Sequence, residues 1–400
     1  MGHVYQKRNI PILFNRLISL TAQYGYTVAL NIILAKVSVN AVLFLWCTKV
    51  LGSLLSLPAN HQASRLQNKK WLLIGLELAK AVIFIALPLL IHQMTLFLGV
   101  LLIEMMSDVF NGNLMALIPK VVDRPNLTQF NAAITSVGSV AYFLGPLLVG
   151  LLQKQPATFL FDSYGGITVI GALTLLRLPA IRFEDQASRP CQFSLMKHFF
   201  KMIRRLLSVD GLLAFLVIYL LLDNMGTGMD SFEVLFVTKV VGITSAQYAF
   251  SLSFLAVAFL LTSTILATVR LRVKNITGFQ VGGVIYITYA IGLVASRNFW
   301  MVLFSYALLA LGAVLMGTML DNLIQIGLND RDRLQLLMLE GVFSNILAAV
   351  TVFSLGLFQN IGFGIKPVYI GLVSVTIIGY VGIEIVRIFN RNQSKESSKN

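Results

Sequence analysis

Apolar stretches long enough to cross a lipid bilayer recur twelve times along this chain, and that recurrence restricts the fold more than any other feature. A hydrocarbon core about 30 Å thick takes about 20 mainly apolar residues to cross as a helix. Lipid offers no partner to an unpaired N–H or C=O, so a spanning segment is either a helix or a strand of a closed barrel. The stretches here are continuous rather than alternating, which excludes the barrel. Only 12% of the residues are charged, against about 25% in a soluble domain. The predicted spans of the first half are Ile12–Leu34, Ala41–Pro58, Trp71–Ile91, Leu96–Ile118, Phe130–Leu152 and Thr158–Leu178. Those of the second are Leu212–Gly228, Tyr248–Val269, Phe279–Ala295, Phe299–Leu320, Leu334–Phe358 and Val368–Ile388. The seventh carries Asp223, and its far end, MGTGMDSFEVLF, is polar and glycine-rich. The expected fold class is an all-α membrane protein with twelve transmembrane helices in two six-helix halves.

Charge placement orients the spans. A net charge of +14 could point to nucleic acid, but the basic residues fall in short loops between apolar spans, where a membrane surface takes them. With the N-terminus inside, five of the 31 Lys and Arg residues lie in outer loops: Lys36, Lys154, Lys239, Arg297 and Lys366. Lys49 and Lys80 fall within spans, and the other 24 are cytoplasmic. An anionic, electrically negative inner face selects that asymmetry, and an odd number of spans would scramble it. The chain is therefore expected in the cell's inner (plasma) membrane, multi-pass, with both termini cytoplasmic, as a monomer partnered by lipid and not by nucleic acid. The opening MGHVYQKRNIP runs straight into a full span, so no cleavable signal is expected. Cys47 in a span and Cys191 in a cytoplasmic loop suggest neither a disulfide framework nor a metal site.

The spans divide as six plus six: residues 1–178, a basic cytoplasmic linker over 179–210, a second half over 211–390, and a polar tail over 391–400 expected to be disordered. Within the linker, Phe193–Leu207 mixes apolar and basic residues as an amphipathic surface helix does. The loops SRLQNKKWLLIG and VRLRVKNITGFQ, after the second and eighth spans, form a weak internal repeat. Paired repeats are common in transporters, with the binding site near the midplane between them.

The stretches AYFLGPLLVGLL, ALIPKVVDRPNLTQFNAA, DNLIQIGLNDRDRLQLLM and FLFDSYGGITVIGALTLLRLP resemble segments of the major facilitator superfamily, and in particular of its bacterial drug and macrolide efflux branch. The fifth span ends AYFLGPLLVGLL, which is similar to the family's antiporter motif, with Gly145, Pro146 and Gly150 in its positions. In that motif the Gly-Pro pair loosens the helix and the glycines permit close helix approach. The loop after the second span departs from the pattern: Arg65, Lys69 and Lys70 fit its basic cluster, but Ser64 stands where the family has an acid, and the glycine is missing. The resemblance implies a cytoplasmic gating loop whose latch lacks its acid. The fourth span also departs, with acids in LLIEMMSDVFNGN where the family often has a basic residue.

Ionisable side chains at membrane depth are costly and mark functional candidates. Glu104 and Asp108 lie four apart on one helix and share a face, which Asn111 extends. Two carboxylates this close in a low dielectric do not both ionise readily, so the pair can take up and release a proton. The other use of such a cluster is structural packing against a neighbouring span. Asp223 is a further proton-coupling candidate. Lys49, mid-span, is expected to pair with Glu104 or Asp108, unless its stem snorkels outward. Arg16 is read as an inner-interface anchor, Glu77 and Lys80 as a pair three apart, Asp321 and Glu340 as structural or gating residues, Glu340 with Arg331 or Arg333, and Asp162 as structural. Tyr24, Tyr26, Phe110, Tyr142, Tyr219 and Tyr306 could line an apolar pocket or simply pack.

No Walker phosphate loop, His-Glu-x-x-His or Gly-x-Ser-x-Gly occurs. No enzyme activity, cofactor or metal is expected. The expectation is a secondary transporter, with proton-coupled efflux of amphipathic or hydrophobic small molecules by alternating access. The alternatives are uptake or lipid movement by the same fold, or a non-transporting membrane sensor or partner derived from it.

Overall fold

The computed structural model describes residues 10–64, 66, 68–90, 94–122, 127–152, 154–178, 212–268, 274–328 and 330–397. Twelve long helices account for nearly all of them. The first six are α1 (Ile10–Val37), α2 (Val39–Ser64), α3 (Lys69–Leu90), α4 (Thr95–Val121), α5 (Leu127–Leu152) and α6 (Ala157–Leu175). The second six are α7 (Leu212–Leu235), α8 (Ser245–Thr268), α9 (Asn275–Ala295), α10 (Phe299–Gly327), α11 (Asp330–Asn360) and α12 (Ile365–Ser397). Each contains a window long and apolar enough to cross a membrane. Their surfaces fit lipid: Val82, Leu89, Trp300, Phe304, Val375 and Ile378 are large apolar side chains left more than half exposed, a liability in water and the expected state against acyl chains.

The helix cores match the predicted spans, and the differences lie at ends. The seventh span was expected to stop at Gly228, but α7 runs to Leu235 and continues as one π-helical turn, Phe236–Val240. Its last turns carry Asp230, Ser231 and Glu233, which lower hydropathy and cut the expected span short, and of these Ser231 and Glu233 are buried. Gly242, at φ 85°, then turns the chain in a region other residues rarely adopt. The stretch expected to link the tenth and eleventh spans is mostly helix, since α10 reaches Gly327 and α11 starts at Asp330. The expected disorder from 391 is also corrected: α12 continues to Ser397. No Pro or Gly lies between Gly382 and Ser397 to stop it. The linker with Cys191 and Phe193–Leu207 lies outside the described residues.

Two compact units divide the chain: Met1–Pro190 with Thr244–Leu260, and Cys191–Ile243 with Leu261–Asn400. In the first, α1 packs on α2, α5 and α6, α3 on α4 and α6, and α2 on α4. In the second, α7 packs on α9, α10, α11 and α12, α9 on α10 and α12, and α11 on α10 and α12. Advancing each helix by six turns the pairings α1–α5, α1–α6, α3–α4 and α3–α6 into α7–α11, α7–α12, α9–α10 and α9–α12. All four are present, while α2–α4 and α1–α2 have no such counterpart, so the weak repeat read in two loops is a partial repeat of packing. The first residues of α8 join the first unit, where Ser253 Oγ donates to the Phe143 carbonyl at 3.1 Å.

Candidate functional site

Three helices of the first unit converge on Glu104. Gly52 on α2 lets α4 approach: a Cβ there would lie 2.8 Å from the Leu101 carbonyl oxygen and 2.9 Å from the Glu104 Cβ. One helical turn before Gly52, Lys49 reaches across with its Nζ 3.6 Å from Glu104 Oε1. From α1, Tyr26 donates its hydroxyl to the same oxygen. Tyr26 is fully buried and Glu104 is 9% exposed. Lys49 also donates to Thr27 Oγ1 at 3.3 Å and lies 4.9 Å from the centroid of the Trp46 ring. Trp46 is fixed in turn by its Nε1–H on Asn31 Oδ1 at 3.1 Å. Of the two acids proposed for Lys49, the structure therefore pairs it with Glu104.

Asp108, one turn further along α4, is half-buried beside the hydroxyls of Ser53 and Ser56 on α2. The two acids share a face, as their spacing predicts, but each has its own partners. The next position on that face, Asn111, accepts a hydrogen bond from Arg16. Arg16 thus turns inward to α4, where the sequence suggested an interface anchor. The α4 face carries a carboxylate, a second carboxylate and an amide, each engaged by α1 or α2.

A second polar group in this unit is sealed. Glu77 and Lys80 on α3 are 0% and 3% exposed and pair at 2.9 Å. Ser19 of α1 donates to Glu77 Oε1 at 2.8 Å and receives Lys80 Nζ at 3.2 Å. Lys80 also lies 5.0 Å from the centroid of the Phe110 ring. This triad fastens α1 to α3 and is closed on itself.

The motif glycine Gly145 sits where α5 crosses α1. A Cβ there would lie 2.8 Å from the Gly25 nitrogen and 3.0 Å from the Thr21 carbonyl oxygen, so no side chain fits. Pro146 is buried within a continuous α5. Gly150 is in ordinary contact with Ala249 and Phe250. In the expected gating loop, Lys69 Nζ donates to the Ala63 carbonyl at 2.5 Å. Lys70 Nζ donates to the carbonyls of Leu176 and Leu178 at 2.7 and 2.6 Å. Both cations sit at the C-terminal ends of helices, where carbonyl oxygens favour positive charge. Arg65 and the side chain of Ser64 lie outside the described residues, as do the side chains of Arg331 and Arg333 proposed for Glu340.

In the second unit, Asp223 on α7 accepts from Ser344 Oγ of α11 at 2.7 Å, and the adjacent Asn224 donates to Thr351 Oγ1 at 2.6 Å. The sequence reading left out Glu233, which is 4% exposed and accepts from the Tyr306 hydroxyl of α10. It fell beyond the expected end of the seventh span. The signal available was the absence of any helix breaker between Gly228 and Gly242. Of the six aromatics proposed as pocket lining, Tyr26, Phe110 and Tyr306 are buried inside a unit, and Tyr24 meets Tyr142 edge to face at 5.0 Å.

No protein-family model and no curated protein matches the sequence. Solved structures do match the fold. A mutant of the nucleoside transporter NupG is similar at TM-score 0.74 and 10% identity, covering 94% of this chain and 99% of its own. The POT family transporter PepTSo is similar at TM-score 0.74 and 12% identity, over 97% and 99%. A bacterial homolog of the human lysosomal transporter Spinster is similar at TM-score 0.64 and 13% identity, over 96% of each chain. The chain has the major facilitator fold and is a multi-pass membrane protein.

Proposed function

We propose that this protein is a secondary transporter working by alternating access, driven by protons, that exports amphipathic or hydrophobic small molecules. The observation that carries the proposal is the assembly of Tyr26, Lys49 and Glu104 inside the hydropathic spans of α1, α2 and α4. A carboxylate held there by one cation and one phenol has two stable states. Ionised, it holds Lys49 and draws α2 to α4. Protonated, it releases the charge attraction while the Tyr26 hydrogen bond can persist. A proton thus changes how tightly two helices are joined, and a ligand or ion biases a conformational equilibrium only through such a difference between states. Asp108 and Asp223 are the further coupling candidates.

A groove of about 360 Å³ beside α11 and α12, lined by Val350, Leu355, Phe358, Phe363, Leu372 and Val375 and open on the lipid-facing side where Val350 and Val375 are exposed, would admit an apolar molecule from the bilayer. That volume is in the range of small-molecule sites. Uptake has equal support from the neighbours, whose names include a nucleoside transporter, so direction is read from the assay. A drug-susceptibility panel with the gene deleted and overexpressed tests the export reading. Overexpression should raise resistance to some lipophilic compounds, and Glu104→Gln should cancel it. An unchanged panel in every strain would remove export.

A further inference from the structure

The packing repeat relates α1 to α7 and α4 to α10. In the first unit, a tyrosine on α1 hydrogen-bonds a glutamate on α4, Tyr26 to Glu104. In the second, a tyrosine on α10 hydrogen-bonds a glutamate on α7, Tyr306 to Glu233. The same pair joins the same two helices of each repeat, with donor and acceptor exchanged. We infer that Glu233 is a second proton-binding site, belonging to the second unit and separate from Glu104.

Its surroundings suit a carboxyl that changes its protonation. Glu233 and Tyr306 lie within the candidate spans Leu212–Val240 and Phe299–Ile324, and Glu233 is 4% exposed, where an ionised carboxylate is expensive. Among the described residues, Tyr306 of α10 donates to it, and Tyr289 of α9 and Tyr369 of α12 feel its charge together with that of Asp230 on its own helix. Tyr289 is fully buried and its hydroxyl has no hydrogen-bond partner. A neutral carboxylic acid next to it supplies both a donor and an acceptor, whereas a carboxylate only accepts. The backbone can answer the change. Glu233 lies just before the π turn Phe236–Val240, a deviation frequent at functional sites. Phe236 in that turn stacks on Tyr369 at 4.5 Å, and the Tyr369 hydroxyl donates to the Met229 carbonyl of α7. The chemistry is one O–H bond formed at a Glu233 carboxylate oxygen, with the proton drawn from water on one side of the membrane and returned to the other.

The test is infrared difference spectroscopy of the full chain in liposomes during a pH titration, following the carbonyl stretch of protonated carboxylic acids. Glu233→Gln should remove one component of that band, and Tyr306→Phe should keep the component but move it to higher frequency as its hydrogen bond is lost. Glu104→Gln should remove a different component, so failure of either site shows by itself. A band that neither Glu233→Gln nor Tyr306→Phe alters would overturn the inference. Should Glu233→Gln fail to fold, the Tyr306→Phe shift alone decides it.

Discussion

Lys49 and Lys80 are both lysines at membrane depth, yet their surroundings give them different work. Lys80 and Glu77 are buried and bonded to each other and to Ser19, with the Lys80 ammonium against the Phe110 ring. Breaking such a pair strands one charge in a dry interior, at a cost of about 3 kcal/mol, while replacing both partners by apolar residues is nearly neutral. Lys80→Met should therefore lower the unfolding temperature in detergent sharply, and Glu77→Leu with Lys80→Met should restore most of it. At Lys49 the side chains are 18% and 12% exposed, and Glu104 keeps Tyr26 if the cation is lost. Lys49→Met should leave the unfolding temperature close to wild type and instead change the pH dependence of transport. Equal thermal losses at the two lysines would mean that both pairs are scaffold. The spacing of Glu77 and Lys80 and of Glu104 and Asp108 was legible in the sequence. Their partners Ser19 and Tyr26 were not, because they sit on another helix and nothing in local spacing fixes which faces meet.

Helices meet here through small residues, and α10 starts at a capped end. Gly145→Leu would drive a side chain into the α1 backbone at Gly25 and Thr21, an overpacking that costs about 2 kcal/mol. It should reduce the yield of folded protein in size-exclusion chromatography, while Gly166→Leu, at a position with open space, should not. At the start of α10, Asn298 accepts from the Met301 N–H at 3.0 Å. Asn298→Ala should cost about 1 kcal/mol, measurable as a lower unfolding temperature. Hydropathy located each of the twelve described long helices because a lipid span leaves few alternatives, but it placed ends poorly wherever a helix outlasts its apolar run. The last turns of α7 carry Gly228, Asp230 and Glu233, which lower hydropathy while tertiary packing buries most of them. That error hid Glu233 from the sequence reading.

The whole molecule repeats part of its packing in two units while its sequence scarcely repeats. Helix pairing is set by length, apolarity and a few close crossings, and many side chains satisfy those demands, so 10% identity to NupG accompanies a shared fold. The fold was legible for that reason, and the cargo was not, because a groove lined by Val, Leu and Phe admits many apolar molecules. Protonation of Glu104 is proposed to drive the cycle. The direct measurement is dye movement in proteoliposomes under an imposed pH gradient, with a fluorescent lipophilic cation as probe. Wild-type protein should move the dye only while the gradient lasts, and Glu104→Gln should abolish gradient-driven movement while leaving dye exchange at equal concentrations intact. Gradient-driven movement by Glu104→Gln at the wild-type rate would contradict the account.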